Sequence, residues 1–565
     1  MKRNSYNKVF KSVSKITMQF LFMIFLVQNL SIAAVIKQQV RFAPNNISTW
    51  IWNTGVFNQD LRTTNTPGFE WPKGSGIFAL FTSGLSIEAN VNGRLRMGNA
   101  SYSGEYAPGY VGDSNGLPVF KTDSRFKIYS VRIGDTQTNN PDVILWRDMI
   151  PYGAPYNDMN NNRIYDIGID KPGVPDADQT IFVCLTDADA SNHTTSEGFS
   201  GGTKPLNAEV HLTAWGYSEA PLQDFHFLRY TVINKNDSAW NGAYFGFYSD
   251  PDLGYAKDDY VGCDTALQMI YCYNADSIDG YGNIYGVPGQ YGINPPAVGQ
   301  TLLRGAINKH TTPFDSLKMT TGTRISKSYY PCDQDPSSDP HQAYNYFRGF
   351  KADGTPWLNP LNTPYQVTKF TFTGNPEDST GWTENKGHIL NCGGSLTGNV
   401  EVSPPGDKRM LMSSGAENLL VQPGDTQKIV ISQLIARGSS NVNSVTKLKE
   451  LSSTVRQIYY AIETETEPVY EPPAEVPLNY LLHQNYPNPF NPVTTIKYEV
   501  KMLWKVKIQV YDTRGELIRT LVNEEKPQGV YEVKFDASNL PSGIYFIKMT
   551  SAQGFEASKK MVLLK

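Results

Sequence analysis

Asn485-Tyr486-Pro487-Asn488-Pro489-Phe490-Asn491-Pro492 opens the C-terminal part of the chain and decides how that part folds. Its three prolines fix φ and remove three backbone donors, so the run is neither a helix nor a central strand. It is an extended entry into a small β domain. Short strand-like runs follow at 494–500, 507–511, 516–522, 530–535, 544–550 and 556–564. Turn residues separate them, as in Asp512-Thr513-Arg514-Gly515 and Pro541-Ser542-Gly543. Six or seven short strands with this punctuation predict an Ig-like β-sandwich.

The wording of this region also resembles a known family. The run 485–492, Tyr511-Asp512 with Gly515, Ser542-Gly543-Ile544-Tyr545-Phe546 and Lys559-Lys560-Met561-Val562-Leu563-Leu564-Lys565 occur in the order found in type A C-terminal sorting domains of the type IX secretion system. The resemblance covers residues 479–565. It implies export through the outer membrane with the type IX machinery as partner. It further implies removal of the domain and either release or attachment to surface lipopolysaccharide.

Working outward, residues 464–478 form an acidic, proline-rich linker that is expected to be stiff and extended. At the other end, residues 1–34 read as a secretory signal. Lys2, Arg3, Lys8, Lys11 and Lys15 form its basic part, 20–27 is unbroken apolar sequence, and Ser31-Ile32-Ala33 offers a cleavage site. An apolar run this short makes a poor membrane span, and no other stretch is long enough, so no transmembrane segment is expected in the mature chain. Between these signals lies a body, residues 35–463.

The chain has a formal net charge of −4, with 18% charged and 12% aromatic residues, 47 Gly and 36 Pro. That composition suits a β-rich, loop-rich extracellular protein. The signal and the sorting region are both net basic, so the body between them carries more negative charge than the whole chain. An acidic body repels nucleic acid and anionic membrane and suits solubility or cation binding.

The body is expected to be a large β-sandwich with long loops and one C-terminal helix. Strand-like runs lie at 78–92, 126–133, 180–185, 208–215, 225–234, 244–248, 267–273, 366–373 and 427–436. In the fifth, His226, Leu228, Tyr230 and Val232 alternate with Phe227, Arg229 and Thr231, the period of a half-buried antiparallel strand. Residues 275–365 are rich in Gly, Pro and Asn, and they read as loops decorating the sandwich. Val445, Leu448, Leu451, Val455, Ile458, Tyr459 and Ile462 make a helical stripe with Ser444 as its expected N-cap. Three phrases of the body (Pro67-Gly68-Phe69-Glu70-Trp71-Pro72, 406–415 and Pro423-Gly424-Asp425-Thr426) resemble uncharacterised secreted proteins that carry this sorting domain. That resemblance brings no activity with it.

Two acidic groups are candidate sites. Asp158, Asn160, Asn162 and Asp166, with Asp170 beyond, have the oxygen spacing of a calcium loop, in which alternate residues of a tight turn converge on one hard cation. This loop resembles those of dockerins and thrombospondin type 3 repeats, although Arg163 stands where glycine normally permits the turn and Ile169 stands at position twelve. The second group is Asp250, Asp252, Asp258, Asp259 and Asp264. It could hold a cation, stay solvated, or supply the carboxylate pair of a glycoside hydrolase.

Other chemistry is thinly represented. Gly112-Asp113-Ser114-Asn115-Gly116 and Gly198-Phe199-Ser200-Gly201-Gly202 match the nucleophile-elbow pattern but lack its strand-before, helix-after context. The seven histidines show no paired metal spacing, and no Cys-x-x-Cys occurs among the five cysteines. Cys263 and Cys272 flank one strand and could pair in an oxidising compartment, or remain buried thiols. The sequence thus points to a secreted or surface-attached protein acting in binding, adhesion or envelope structure. Its possible cofactor is Ca2+, and its partners include surface lipopolysaccharide or an extracellular glycan. The rival reading is a secreted hydrolase of polysaccharide or protein using the acidic loops.

Overall fold

The computed structural model describes residues 37–62, 66–195, 197–280, 289–311, 315–326, 331–466, 480–500, 504–526, 529–551 and 555–565. The signal segment 1–34 and most of the linker lie outside these. The chain divides into two compact units, with the main boundary between Tyr460 and Ala461 and the short segment Ile150–Gly153 assigned to the second unit.

The first unit is a sandwich of two antiparallel sheets. One, of ten strands, runs in the order Gln39–Phe42, Thr49–Trp52, Val56–Phe57, Phe78–Val91, Trp240–Pro251, Lys408–Gly415, Thr321–Ser326, with three short strands paired beside it. The other, of nine, runs Tyr129–Arg132, Gln179–Thr186, Ala208–Gly216, Phe225–Asn234, Thr426–Ala436, Ala297–Arg304, Met269–Asn274, Asp259–Asp264, with Ala107–Pro108 at its side. Leu85, Ile87, Phe245, Phe247, Met410 and Met412 of the first sheet share a core with Ile181, Val183, Val210, Leu212, Leu228, Tyr230, Ile429 and Ile431 of the second. The rings of Tyr230 and Phe247 meet across this interface at 5.6 Å.

The alternation read in 225–234 is real, with Leu228, Tyr230 and Val232 facing the core. The other face is also covered, because Phe227 packs under Tyr459 of the helix Asn441–Thr466. Val445, Leu448 and Val455 are buried from the same stripe. The helix begins earlier than the sequence suggested. The Ser440 hydroxyl accepts from the Asn443 amide and caps it, while Ser444 bonds the Pro295 carbonyl from inside the first turn. The helix also runs to Thr466, into the first residues assigned to the linker.

Residues 275–365 are more than decoration. Ala297–Arg304 lies inside the second sheet, between Thr426–Ala436 and Met269–Asn274, and Thr321–Ser326 edges the first. Pro340–Phe347 is a helix with Asp339 as N-cap and Pro340 in its first turn, and it covers the outer face of the first sheet. The disulfide joins Cys332 to Cys392, while Cys184, Cys263 and Cys272 are buried thiols. Register explains why Cys263 and Cys272 stay apart: Cys263 stands opposite Ile270, and Cys272 opposite Val261.

The second unit holds a three-stranded sheet (Leu481–Leu482, Val493–Val500, Gly529–Asp536) and a four-stranded one (Leu517–Lys526, Trp504–Tyr511, Gly543–Thr550, Glu556–Leu563). Ile496, Tyr498, Val506, Ile508, Ile547 and Met561 fill the space between them. The proline run has a structural task. Phe490 is buried in this core, its amide donates to the Val562 carbonyl at 2.9 Å, and Asn488 Oδ1 accepts from the Val562 amide at 2.8 Å. Among the described residues no helix is long and apolar enough to cross a membrane.

Between the two sheets of the body lies a polar seam. Ser83 Oγ meets Ser249 Oγ at 2.7 Å, Gln433 Nε2 donates to Ser83 Oγ at 3.3 Å, and His226 Nε2 pairs with Gln433 Oε1 at 3.1 Å. Burial against Phe42 and Phe69 pushes the His226 imidazole down to about 4. An unfolded imidazole titrates near 6.5, so between these values the unfolded chain binds the proton and the fold does not. The contribution of His226 to stability is therefore full above pH 6.5 and is lost as pH falls toward 4. Relative to a His226→Gln variant, wild-type unfolding free energy is expected to drop by about 2 kcal/mol between pH 8 and pH 5. Denaturant titrations of both proteins at the two pH values check this, and a pH-independent difference would refute it.

Candidate functional site

A cleft of about 310 Å³ opens on the first sheet, lined by Asn90, Asn241, Gly242, Tyr344, Arg348 and Glu417. It exists because the pairing of Trp240–Pro251 with Phe78–Val91 slips between Asn241 and Tyr244, a bulge in which Gly242 takes φ of 61°. A Cβ on Gly242 would stand 2.9 Å from the Tyr344 hydroxyl. The helix Pro340–Phe347 brings Tyr344 over this bulge, where its hydroxyl donates to the Gly242 carbonyl at 2.8 Å. Arg348, at the helix C-terminus, lies 5.2 Å from the Tyr344 ring and 2.6 Å from Glu417 Oε1. The guanidinium holds the Glu417 carboxyl below its ordinary value. The result is two amides from neighbouring strands, a phenol from the helix, and a pair between the Arg348 guanidinium at the helix end and the Glu417 carboxylate in a turn.

The loop carrying Asp158, Asn160, Asn162 and Asp166 closes on itself. Asn160 Nδ2 and Asn162 Nδ2 both donate to Asp166 Oδ2, at 2.9 and 2.6 Å, which holds the Asp166 carboxyl below its usual range. The Asp158 oxygens accept from the Asn162 and Arg163 amides. Asp170 is buried and accepts from the Met159 and Asp166 amides at 2.8 and 2.6 Å. Arg163, at the position where glycine is usual, does take a left-handed φ of 63°.

The second acidic group is dispersed. Asp250 is buried, 2.7 Å from Arg409 Nη1, and accepts from the Tyr102 hydroxyl at 2.6 Å. Asp252 and Asp407 each place a carboxylate oxygen within 4.8 Å of it. Asp259 is buried against the Leu253 amide, whereas Asp258 accepts from the Gly280 amide and burial pushes its carboxyl up to about 6. Asp264 lies at the opposite end of the strand Asp259–Asp264, where it caps the turn and pairs with Lys449 at 3.0 Å.

Neither elbow-like motif forms an elbow. Ser114 ends a strand whose hairpin turn is Asn115-Gly116. Ser200 has φ of 63° but is buried in a loop, and its hydroxyl meets no hydrogen-bond partner among the described residues. Beside it, Glu197 accepts from the Ser101, Tyr102, Ser103 and Gly104 amides, so this carboxylate organises a turn.

Sequence reasoning had not singled out any cleft residue. The available signal was the Asn241-Gly242 pair just before the run 244–248, since a glycine within a strand often marks a bulge and the structure extends that strand back to Trp240.

Residues 484–564 match the secretion system C-terminal sorting domain family. The C-terminal unit is thus a type IX sorting domain, and it marks the protein for secretion or display at the outer-membrane surface. No curated protein matches the chain. Among solved structures, CopC from Methylosinus trichosporium OB3b is similar at 17% identity over 15% of this chain and 91% of its own, with a TM-score of 0.12. A polysaccharide lyase is similar at 7% identity over 85% of this chain and 46% of its own, with a TM-score of 0.17. The adhesin domain of Epf from Streptococcus pyogenes is similar at 8% identity over 62% and 87%, with a TM-score of 0.13. Likenesses this distant carry no argument about function.

Arg409 is buried among three carboxylates, those of Asp250, Asp407 and Asp335, so removing Asp250 leaves its charge partly compensated. Asp250→Ala is expected to destabilise the body by about 1.5–3 kcal/mol, the cost of a lost hydrogen bond to a charged group, in chelator and in calcium alike. Thermal unfolding in both buffers checks it. A loss confined to calcium-containing buffer would make Asp250 a cation ligand instead.

Proposed function

We propose that the body is a non-catalytic binding protein carried to the cell surface by its sorting domain, and that it holds a glycan in the cleft at Gly242. The observation that carries this reading is the cleft's lining. Amides, a guanidinium–carboxylate pair and an aromatic ring are the groups that pair with vicinal hydroxyls and pack a sugar face. The acidic loops support the same reading from the other side. Asp250 is engaged by Arg409, Asp259 by backbone, and Asp264 by Lys449, so three of the five carboxylates of the second group are held in structural contacts. Calorimetry against outer-membrane lipopolysaccharide and extracellular polysaccharide fragments tests the proposal. Arg348→Ala and Asn241→Ala are each expected to weaken binding at least tenfold, about the worth of one charge-assisted hydrogen bond. Glycan cleavage, or binding that both variants leave intact, would overturn it.

A second role follows from the first acidic loop: we propose that Asp158, Asn160, Asn162, Asp166 and Asp170 bind Ca2+. Asn162 ties Asp158 and Asp166 to one turn, its backbone N–H donating to Asp158 and its Nδ2 to Asp166, and Arg163 is already left-handed, which favours it. The asparagines supply neutral oxygens, so affinity falls in the range of extracellular modules, on the order of 10⁻⁴–10⁻³ M. At ten times Kd this adds about 1.4 kcal/mol to the native state. Melting temperature is expected to rise with calcium and fall back with chelator, with Asp158→Ala removing most of the rise and Arg163→Gly enlarging it. An unchanged wild-type melting temperature would refute the site.

A further inference from the structure

Cys184 and His211 are separated by 26 intervening residues, and the sheet brings them side by side. In the pairing of Gln179–Thr186 with Ala208–Gly216, Cys184 stands directly opposite His211. Ile181, Val183 and Leu185 face the core from one strand, and Val210 and Leu212 from the other. Alternation therefore puts Cys184, Glu209 and His211 together on the outer face. The hairpin Tyr110–Ser114/Leu117–Lys121 comes over them, and its Val111 amide donates to Glu209 Oε2 at 3.1 Å. All three side chains are buried, and one donor atom from each lies within 4.8 Å of the other two.

We propose that Cys184, Glu209 and His211 form a binding site for a borderline divalent metal of the zinc class, closed over by this hairpin. The distances suit such an ion. Zinc takes sulfur at about 2.3 Å and nitrogen or oxygen at about 2.0–2.1 Å. At a tetrahedral angle these lengths place nitrogen and oxygen about 3.3 Å apart, and sulfur and oxygen about 3.5 Å apart. His211 Nε2 and Glu209 Oε1 are 3.0 Å apart, and Cys184 Sγ is 3.2 Å from the Gly109 carbonyl oxygen. For these two pairs an ion requires expansion of a few tenths of an ångström, the sulfur lies within 4.8 Å of the His211 and Glu209 donor atoms, and the Gly109 carbonyl oxygen beside the sulfur supplies a fourth donor. The set of one thiolate, one imidazole and one carboxylate selects a borderline metal over calcium or magnesium, which take oxygen alone.

Without metal, burial holds Cys184 as a thiol, and Lys235 is the nearby cation that eases its charge. Metal binding then releases the thiol proton to solvent. If Nε2 ligates, the imidazole keeps its one proton on Nδ1. The Val111 amide fixes Glu209 from behind, the kind of outer support that metal ligands require. Because the ligands are accessible only in the unfolded chain, loading accompanies folding and exchange afterwards is slow.

The experiment is to unfold the full chain in guanidinium with chelator, refold it with Zn2+ or Co2+, dialyse, and measure metal content and absorption. One equivalent per chain is expected, with a near-ultraviolet thiolate-to-cobalt band. Cys184→Ser is expected to lose the band, Glu209→Gln to weaken binding at least tenfold, and Cys263→Ser, a buried thiol elsewhere, to keep both. X-ray absorption on the zinc-loaded wild type should show one sulfur among nitrogen and oxygen neighbours, which keeps the test valid if a variant fails to fold. Metal content below about a tenth of an equivalent, a band that survives Cys184→Ser, or a shell without sulfur would overturn the site.

Discussion

Both sheets of the body are covered on both faces, and much of the structure follows from that. An antiparallel sheet commonly buries one face and wets the other. Here Gln179–Thr186, Ala208–Gly216 and Lys408–Gly415 are buried at every position. The inner faces meet each other, while the helix Asn441–Thr466 and the helix Pro340–Phe347 cover outer faces. Polar side chains that would ordinarily point to water are thereby enclosed, and each enclosed group costs free energy unless it finds a partner.

The partners are visible where the sandwich ends. Arg324 stands opposite Met410 in the sheet, so it faces the inter-sheet space from its edge. It lies 2.6 Å from Asp333 and 2.8 Å from Glu384, and Lys408 lies 3.2 Å from the same Glu384 oxygen. Against burial, these two cations hold the Glu384 carboxyl below its ordinary value. His388, beside the same cations, is pushed down to about 2 by burial and by the charges of Arg324, Lys351 and Lys408. The segment that supplies Asp333, Glu384 and His388 is the one closed by the Cys332–Cys392 disulfide, whose cysteines have a sequence separation of 60. Closing a loop of that size removes on the order of 4 kcal/mol of unfolded-state entropy, which helps offset the ordering of a long, strand-poor insertion. An oxidising compartment, which export provides, is where such a link persists.

The same constraint explains what the sequence made legible. In the sorting domain Val493–Val500 alternates between exposed and buried, and Thr494, Ile496, Tyr498 and Val500 can be picked out as the inward set. Half-buried strands announce themselves by period two, and all the runs named there became strands. In the body the alternation survives only where polar residues remain outside, as at Arg229 and Thr231. Ala297–Arg304 is buried along nearly its whole length, reads as a short mixed run among glycines and prolines, and gives no period to find. Thr321–Ser326 is all small and polar apart from Ile325 and Arg324, yet it is a sheet edge, because its partner Lys408–Gly415 supplies the apolar residues.

Candidate groups were legible only where they are contiguous. The oxygen spacing of Asp158–Asp166 is a property of one loop, and in the structure that loop is closed by the Asn160 and Asn162 side-chain amides donating to Asp166. The acidic group that begins at Asp250 was drawn from one stretch of chain but scattered, because a strand of six residues carries Asp259 and Asp264 to opposite ends. The cleft and the Cys184–Glu209–His211 cluster arise in the reverse way, from residues far apart in sequence that register or a bulge makes neighbours. A one-residue slip between Gln179–Thr186 and Ala208–Gly216 would turn one strand's outward set into the core and disperse the cluster. The inward Ile181, Val183, Val210 and Leu212 forbid that slip, so the apolar core, which binds nothing, is what fixes the position of the groups that can.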